Sequence, residues 1–174
     1  MEFEALLESF ESSSVGYGPH FKVPQAVFEV INPQCKDKRV ICYLNQTLRI
    51  HSGMMPKDGY HFILLNQALL KQHGMVLGEI ISVRLEVDTS DYGMEISEEF
   101  QEVLFSDQEG SEWFHKLTSG KQRTLIHLVN KIKNSQLKIE RSFVILEHLK
   151  KQRGKLDYKI LDQDIKDFRE SMKM

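Results

Sequence analysis

From Ile81 to Asp88 the chain alternates, with Ile81, Val83, Leu85 and Val87 set against Ser82, Arg84, Glu86 and Asp88. Beyond residue 90 that period of two gives way to apolar spacings of three and four. A strand shows successive side chains to opposite faces, whereas a helix gathers residues i, i+3, i+4 and i+7 on one side. The switch predicts an α+β chain, strand-rich over residues 1–90 and helical over 91–174.

Upstream, Arg39 to Leu44 is apolar on both alternating sets, and Leu48 and Ile50 resume alternation after Asn45-Gln46. That pattern predicts a hairpin. Asp58-Gly59 predicts a tight turn into a strand from Tyr60 to Leu65, because Gly tolerates positive φ and Asp bonds its own backbone. Asn66 is placed to cap a short helix from Gln67 to His73, which Gly74 ends. Pro24 introduces another short helix, Gln25 to Ile31.

In the second half, Ser119-Gly120-Lys121-Gln122 fits a capping box. The stripe Leu125, Leu128, Val129 and Ile132 follows it. Asn134-Ser135 breaks this helix, and Ile139, Phe143, Leu146 and Leu149 mark a second one that Gly154 stops, giving a helical hairpin. Shorter helices are expected around Glu98 to Phe105 and Ser111 to Leu117, with a helical tail from Asp162.

The formal net charge of -2 gives the whole chain no pull toward nucleic acid or anionic membrane. The distribution is uneven, since 116–159 carries 12 Lys and Arg against three acids. Cys35 and Cys42 lack metal-ligand companions at finger-like spacing, so reduced thiols and a cytoplasmic location are expected. No apolar run approaches the length of a membrane span, and no membrane insertion is expected.

Chemistry-bearing motifs are sparse. Gly16-Tyr17-Gly18-Pro19 lacks the third glycine of a phosphate loop, and Pro19 removes an amide donor. His51 and His61 suggest facing strand positions, but no His-Glu-x-x-His or clustered carboxylates complete a shell, so neither metal nor cofactor is expected. No Gly-x-Ser-x-Gly elbow occurs, and Cys42 lies in an apolar strand where a thiol behaves as a small hydrophobe. Two sets remain. Lys121, Arg123, Lys133, Lys138 and Arg141 surround the helical hairpin, where clustered cations would attract an acidic protein or a phosphate-bearing ligand. Asp58, Tyr60 and His61 are candidates for a polar pocket at a strand edge.

The segment Lys38 to Asp88, with Met54-Met55-Pro56-Lys57-Asp58-Gly59 and the capped helix from Asn66, resembles a bacterial domain of unknown function that precedes YdeI/OmpD-associated domains. Gly120-Lys121-Gln122-Arg123, Ile132-Lys133-Asn134-Ser135 and Arg141 resemble the YdeI/OmpD-associated domain itself. The resemblance implies a small β-barrel of the double-split, AbrB-like type followed by a short helical domain, in a bacterial cytoplasmic protein. It implies by name a link to bacteriocin protection. Lys138 stands where that family often has Arg, a point charge in place of a bidentate fork. The expected function is therefore a noncatalytic binding or stress-protection protein, with a monomer favoured. The alternatives are a nucleic-acid-binding regulator, less favoured on charge, and a small-ligand sensor or enzyme using a barrel-edge pocket.

Overall fold

The alternating segment forms the strand β8 (Ile80–Val87), whose register places it inside a sheet. The computed structural model describes residues 1–10 and 18–172, so Gly16 and Tyr17 of the glycine-containing turn lie outside the described residues. Within that range β1 (Glu2–Leu6), β2 (Glu8–Ser9) and β3 (Pro19–Val23) precede α1 (Gln25–Ile31) and two 3-10 turns. Then come β4 (Arg39–Leu44), β5 (Leu48–Gly53), β6 (Met55–Lys57), β7 (Tyr60–Leu64) and α2 (Gln67–Gln72), ahead of β8.

The strands make two antiparallel four-stranded sheets, ordered β1-β8-β4-β5 and β2-β3-β7-β6. Among the described residues neither sheet closes on itself. The two sheets are joined at two corners. Leu7 alone separates β1 from β2, and Met54 alone separates β5 from β6, so each of these strands bends from one sheet into the other. Both corner side chains are buried in the core with Phe21, Val40, Cys42, Leu44, Ile63, Val83 and Leu85. Burial pushes the Cys42 thiol up to about 12, which removes it as a nucleophile near neutral pH.

Turn chemistry matches the sequence. Asn45 and Gln46 both have positive φ, as do Asp58 and Gly59, the geometry that two-residue hairpin loops require. The Asn66 side chain accepts the Ala68 N–H at 2.8 Å and caps α2.

The chain divides into two compact units, Met1–Met94 and Glu95–Met174. The second comprises α3 (Glu98–Ser106), α4 (Gln108–His115), α5 (Ser119–Asn130), α6 (Ser135–Lys151) and α7 (Tyr158–Ser171). The central element is α6, which touches each of the other four. Asn134 caps it by accepting the Leu137 N–H at 2.9 Å. The capping box expected at Ser119 does not form. Thr118 takes the cap position without a side-chain bond, and the Gln122 amide donates instead to the Phe114 carbonyl at 3.1 Å.

Two buried contacts fix the helices around α6. His148 shares its Nδ1 with Asp164 at 2.8 Å, while its Nε2 accepts the Asp157 N–H at 3.4 Å where α7 begins. Gly110 brings α4 close to α6, since a Cβ there would lie 2.7 Å from the Leu146 Cβ. Gly→Ala inside a helix ordinarily gains about 1 kcal/mol. Here we expect the opposite sign, a loss of about 1–3 kcal/mol from overpacking, read by urea denaturation of Gly110→Ala.

Candidate functional site

The two residue sets expected from the sequence do not each form one site. Lys121 opens α5 and Lys133 follows its end, so this 12-residue helix, about 18 Å long, separates them. Both are exposed, and Arg123 is half-buried. Lys138 is paired with Glu99 of α3 at 3.4 Å. Arg141 is half-buried; burial and then the neighbouring Arg169 lower its pKa, against the pull of Asp162.

Tyr60 and His61 adjoin on β7 and so face opposite sides of its sheet. Tyr60 lies on the outer face, with the Lys22 ammonium 5.2 Å from its ring centre. His61 shares the inner face with Val23, and its ring stacks on Phe28 with centroids 3.4 Å apart. Burial and then Lys38 lower its pKa, and its buried Nδ1 has no hydrogen-bond partner among the described residues. Asp58 occupies the turn before β7. His51 sits on β5 of the other sheet, and no group of three or more His, Cys, Asp or Glu among the described residues is arranged to hold a metal ion.

The sequence reading missed a buried dyad. The Asp88 carboxylate, with no side-chain exposure, accepts from His51 Nδ1 at 2.7 Å, from the Ser90 amide at 3.0 Å and from the Ser90 hydroxyl at 2.5 Å. Ser90 is thus committed to the carboxylate, not to the imidazole, which is not the order of a nucleophile–base–acid relay. Cys35 donates its thiol to the Ile31 carbonyl at 3.2 Å, and burial followed by the charge of Asp88 raises its pKa. The dyad therefore anchors the chain after β8.

A cavity of about 630 Å³ opens beside α2. After α2, Gly74 takes a φ of 64°, which allows the Met75 N–H to donate back to the Leu70 carbonyl at 2.9 Å. Four residues on, the Gly78 N–H donates to the Leu7 carbonyl at 2.8 Å. This loop is pinned at both ends, so Val76 and Leu77 are held outward, 58% and 47% exposed. Leu70 and Met75 form the buried floor, with Pro19 along one side and Gln67 and Lys71 at the rim. Leu6 and Ile80, paired across β1 and β8, continue the exposed apolar surface next to the loop.

A smaller cavity of about 290 Å³ lies over the β1-β8-β4 strands, among Glu2, Tyr43, Gln46, Ser82 and Arg84. Its Arg84 guanidinium covers the Tyr43 ring at 4.0 Å and pairs with Glu86 at 3.2 Å, so acids balance the cation. In the described residues no helix is long and apolar enough to cross a membrane. No protein-family model, curated protein or solved structure matches this chain.

Proposed function

We propose that this chain is a noncatalytic binding protein whose sheet unit takes a small amphipathic anion, a molecule with an apolar body and an anionic head. The observation that carries this reading is the α2 cavity, with its Leu70 and Met75 floor, its outward Val76 and Leu77, and Lys71 at the rim. Its volume falls in the range of small-molecule sites, and apolar lining with a few polar groups is their usual chemistry. Exposed apolar surface held in place by backbone bonds, as at Val76 and Leu77, commonly marks a binding surface.

Anilinonaphthalenesulfonate has this chemistry and serves as the probe. The wild-type protein should enhance its fluorescence, and Leu77→Asp should weaken binding about tenfold, the cost of desolvating a carboxylate in an apolar site. Lys71→Ala should weaken the sulfonate about threefold and leave the uncharged phenylnaphthylamine unaffected. Unchanged sulfonate binding in Leu77→Asp would overturn the assignment.

Two finer readings belong with this proposal. The bent strands at Leu7 and Met54 support a barrel of the double-split type, as the YdeI/OmpD-associated resemblance implies. The exposed Lys133, with the exposed Lys131 beside it at the end of α5, supports a second contact, to an acidic protein or a phosphate-bearing ligand, on the helical unit of a cytoplasmic protein.

A further inference from the structure

The helical unit, expected to present cations, also carries a groove of the opposite sign. Phe143, Glu147 and Lys151 recur every four residues along α6, and Asp164, Phe168 and Ser171 recur at four and three along α7. That spacing places each set on one helix face. With Val144 and Asp167 they line a cavity of about 320 Å³. Val144 is buried at its floor, while Phe143 is 42% exposed. Three carboxylates line it against one ammonium, in a chain segment otherwise rich in Lys and Arg.

These carboxylates are held in place by neighbours on their own unit. Asp164 accepts from the buried His148, Asp167 accepts from the Gln163 amide at 2.7 Å, and Glu147 pairs with Lys150. Each of these contacts engages one carboxylate oxygen, and a carboxylate offers about four lone-pair sites in total. Fixed anions beside exposed aromatic surface suit a ligand that brings an apolar side chain and a positive charge together.

We propose that the α6–α7 groove docks a basic peptide segment of a partner protein. One apolar side chain enters between Phe143 and Phe168, and flanking lysines or arginines meet Glu147, Asp164 and Asp167. Lys151 sets the polarity, repelling the cationic flank from its end of the groove. Charge complementarity selects this occupant, because the three carboxylates outnumber the Lys150 and Lys151 ammonium groups beside them and an acidic peptide would be repelled. The proposal is independent of the α2 cavity.

The test uses the full chain and a short fluorescent peptide alternating lysine and leucine, with a glutamate-and-leucine peptide as control. Anisotropy should show binding of the first peptide only, weakening as salt rises. The double variant Glu147→Gln, Asp167→Asn should lose about five- to tenfold in affinity, and Lys151→Gln should gain about twofold. The gain guards against a loss that merely reflects misfolding. Leu77→Asp should leave this binding unchanged. Equal binding of both peptides, or no response to Glu147→Gln, Asp167→Asn and Lys151→Gln, would overturn the proposal. So would a dimer on size-exclusion chromatography that the double variant dissociates, because the groove's occupant would then be a second copy of this chain.

Discussion

Asp88→Ala should lower the unfolding free energy by about 3–5 kcal/mol, because it strips the partner from a buried, hydrogen-bonded pair and leaves His51 and Ser90 donors unsatisfied. Asp88→Asn should cost less, about 1–2 kcal/mol, since the amide oxygen still accepts and the imidazole can change tautomer. Urea denaturation followed by circular dichroism reads both. Burial alone would push the Asp88 carboxyl above its ordinary value of 3.8, but the bonds from Ser90 and His51 together outweigh it and hold the pKa below. The sign follows from proton linkage: the folded state holds the proton less tightly, so the charged carboxylate's contribution is fully present above pH 3.8. It is lost as pH falls through the lower, folded value. The stability gap between wild type and Asp88→Asn should therefore narrow in that acid window. A gap that stays constant there would mean that the charge contributes nothing beyond its hydrogen bonds.

That pair illustrates where sequence reading stops. Alternation from Ile81 to Asp88 is a local signal, and it produced β8; Asp58-Gly59 and Asn66 are equally local, and each does its expected work, while Asn134, expected only to break the helix, also caps the next one. His51 and Asp88 lie 37 residues apart, and only the β5-β4-β8 register brings them to one face. No spacing rule carries that information. Other misses had visible signals. Phe3 and Ala5 alternate with Glu2 and Glu4, a short period of two that marks β1. Tyr60 and His61 were grouped because they are adjacent, although a strand sends neighbours to opposite faces. At α5 the cap position falls on Thr118, one residue before Ser119, and its hydroxyl makes no cap bond, so the expected box had no partner to close on. The α2 cavity depends on where Gly74 and Gly78 turn the backbone, so its depth was invisible while its glycines were not.

Phe114→Ala should cost the helical unit about 3–5 kcal/mol, the range for truncating a fully buried aromatic. Phe114 of α4 and Phe100 of α3 are both fully buried, meeting edge to face with centroids 5.3 Å apart and planes at 70°. Both helices touch α6, so a cavity left by the ring opens where three helices meet, and Gly110 limits how far α4 can shift to refill it. Phe114→Leu keeps much of the apolar volume and should cost clearly less. Trp113, the single tryptophan, supplies the readout: it sits beside Phe114 with the Lys116 ammonium 4.4 Å from its ring centre, so its emission follows unfolding of this unit. The decisive measurement is a double-mutant cycle with Phe100→Ala. If the edge-to-face pair contributes beyond area burial, the cycle yields a coupling of about 0.5–1.5 kcal/mol. Strict additivity would instead assign the whole loss to transfer and cavity terms, and would leave the geometry of the two rings without energetic consequence.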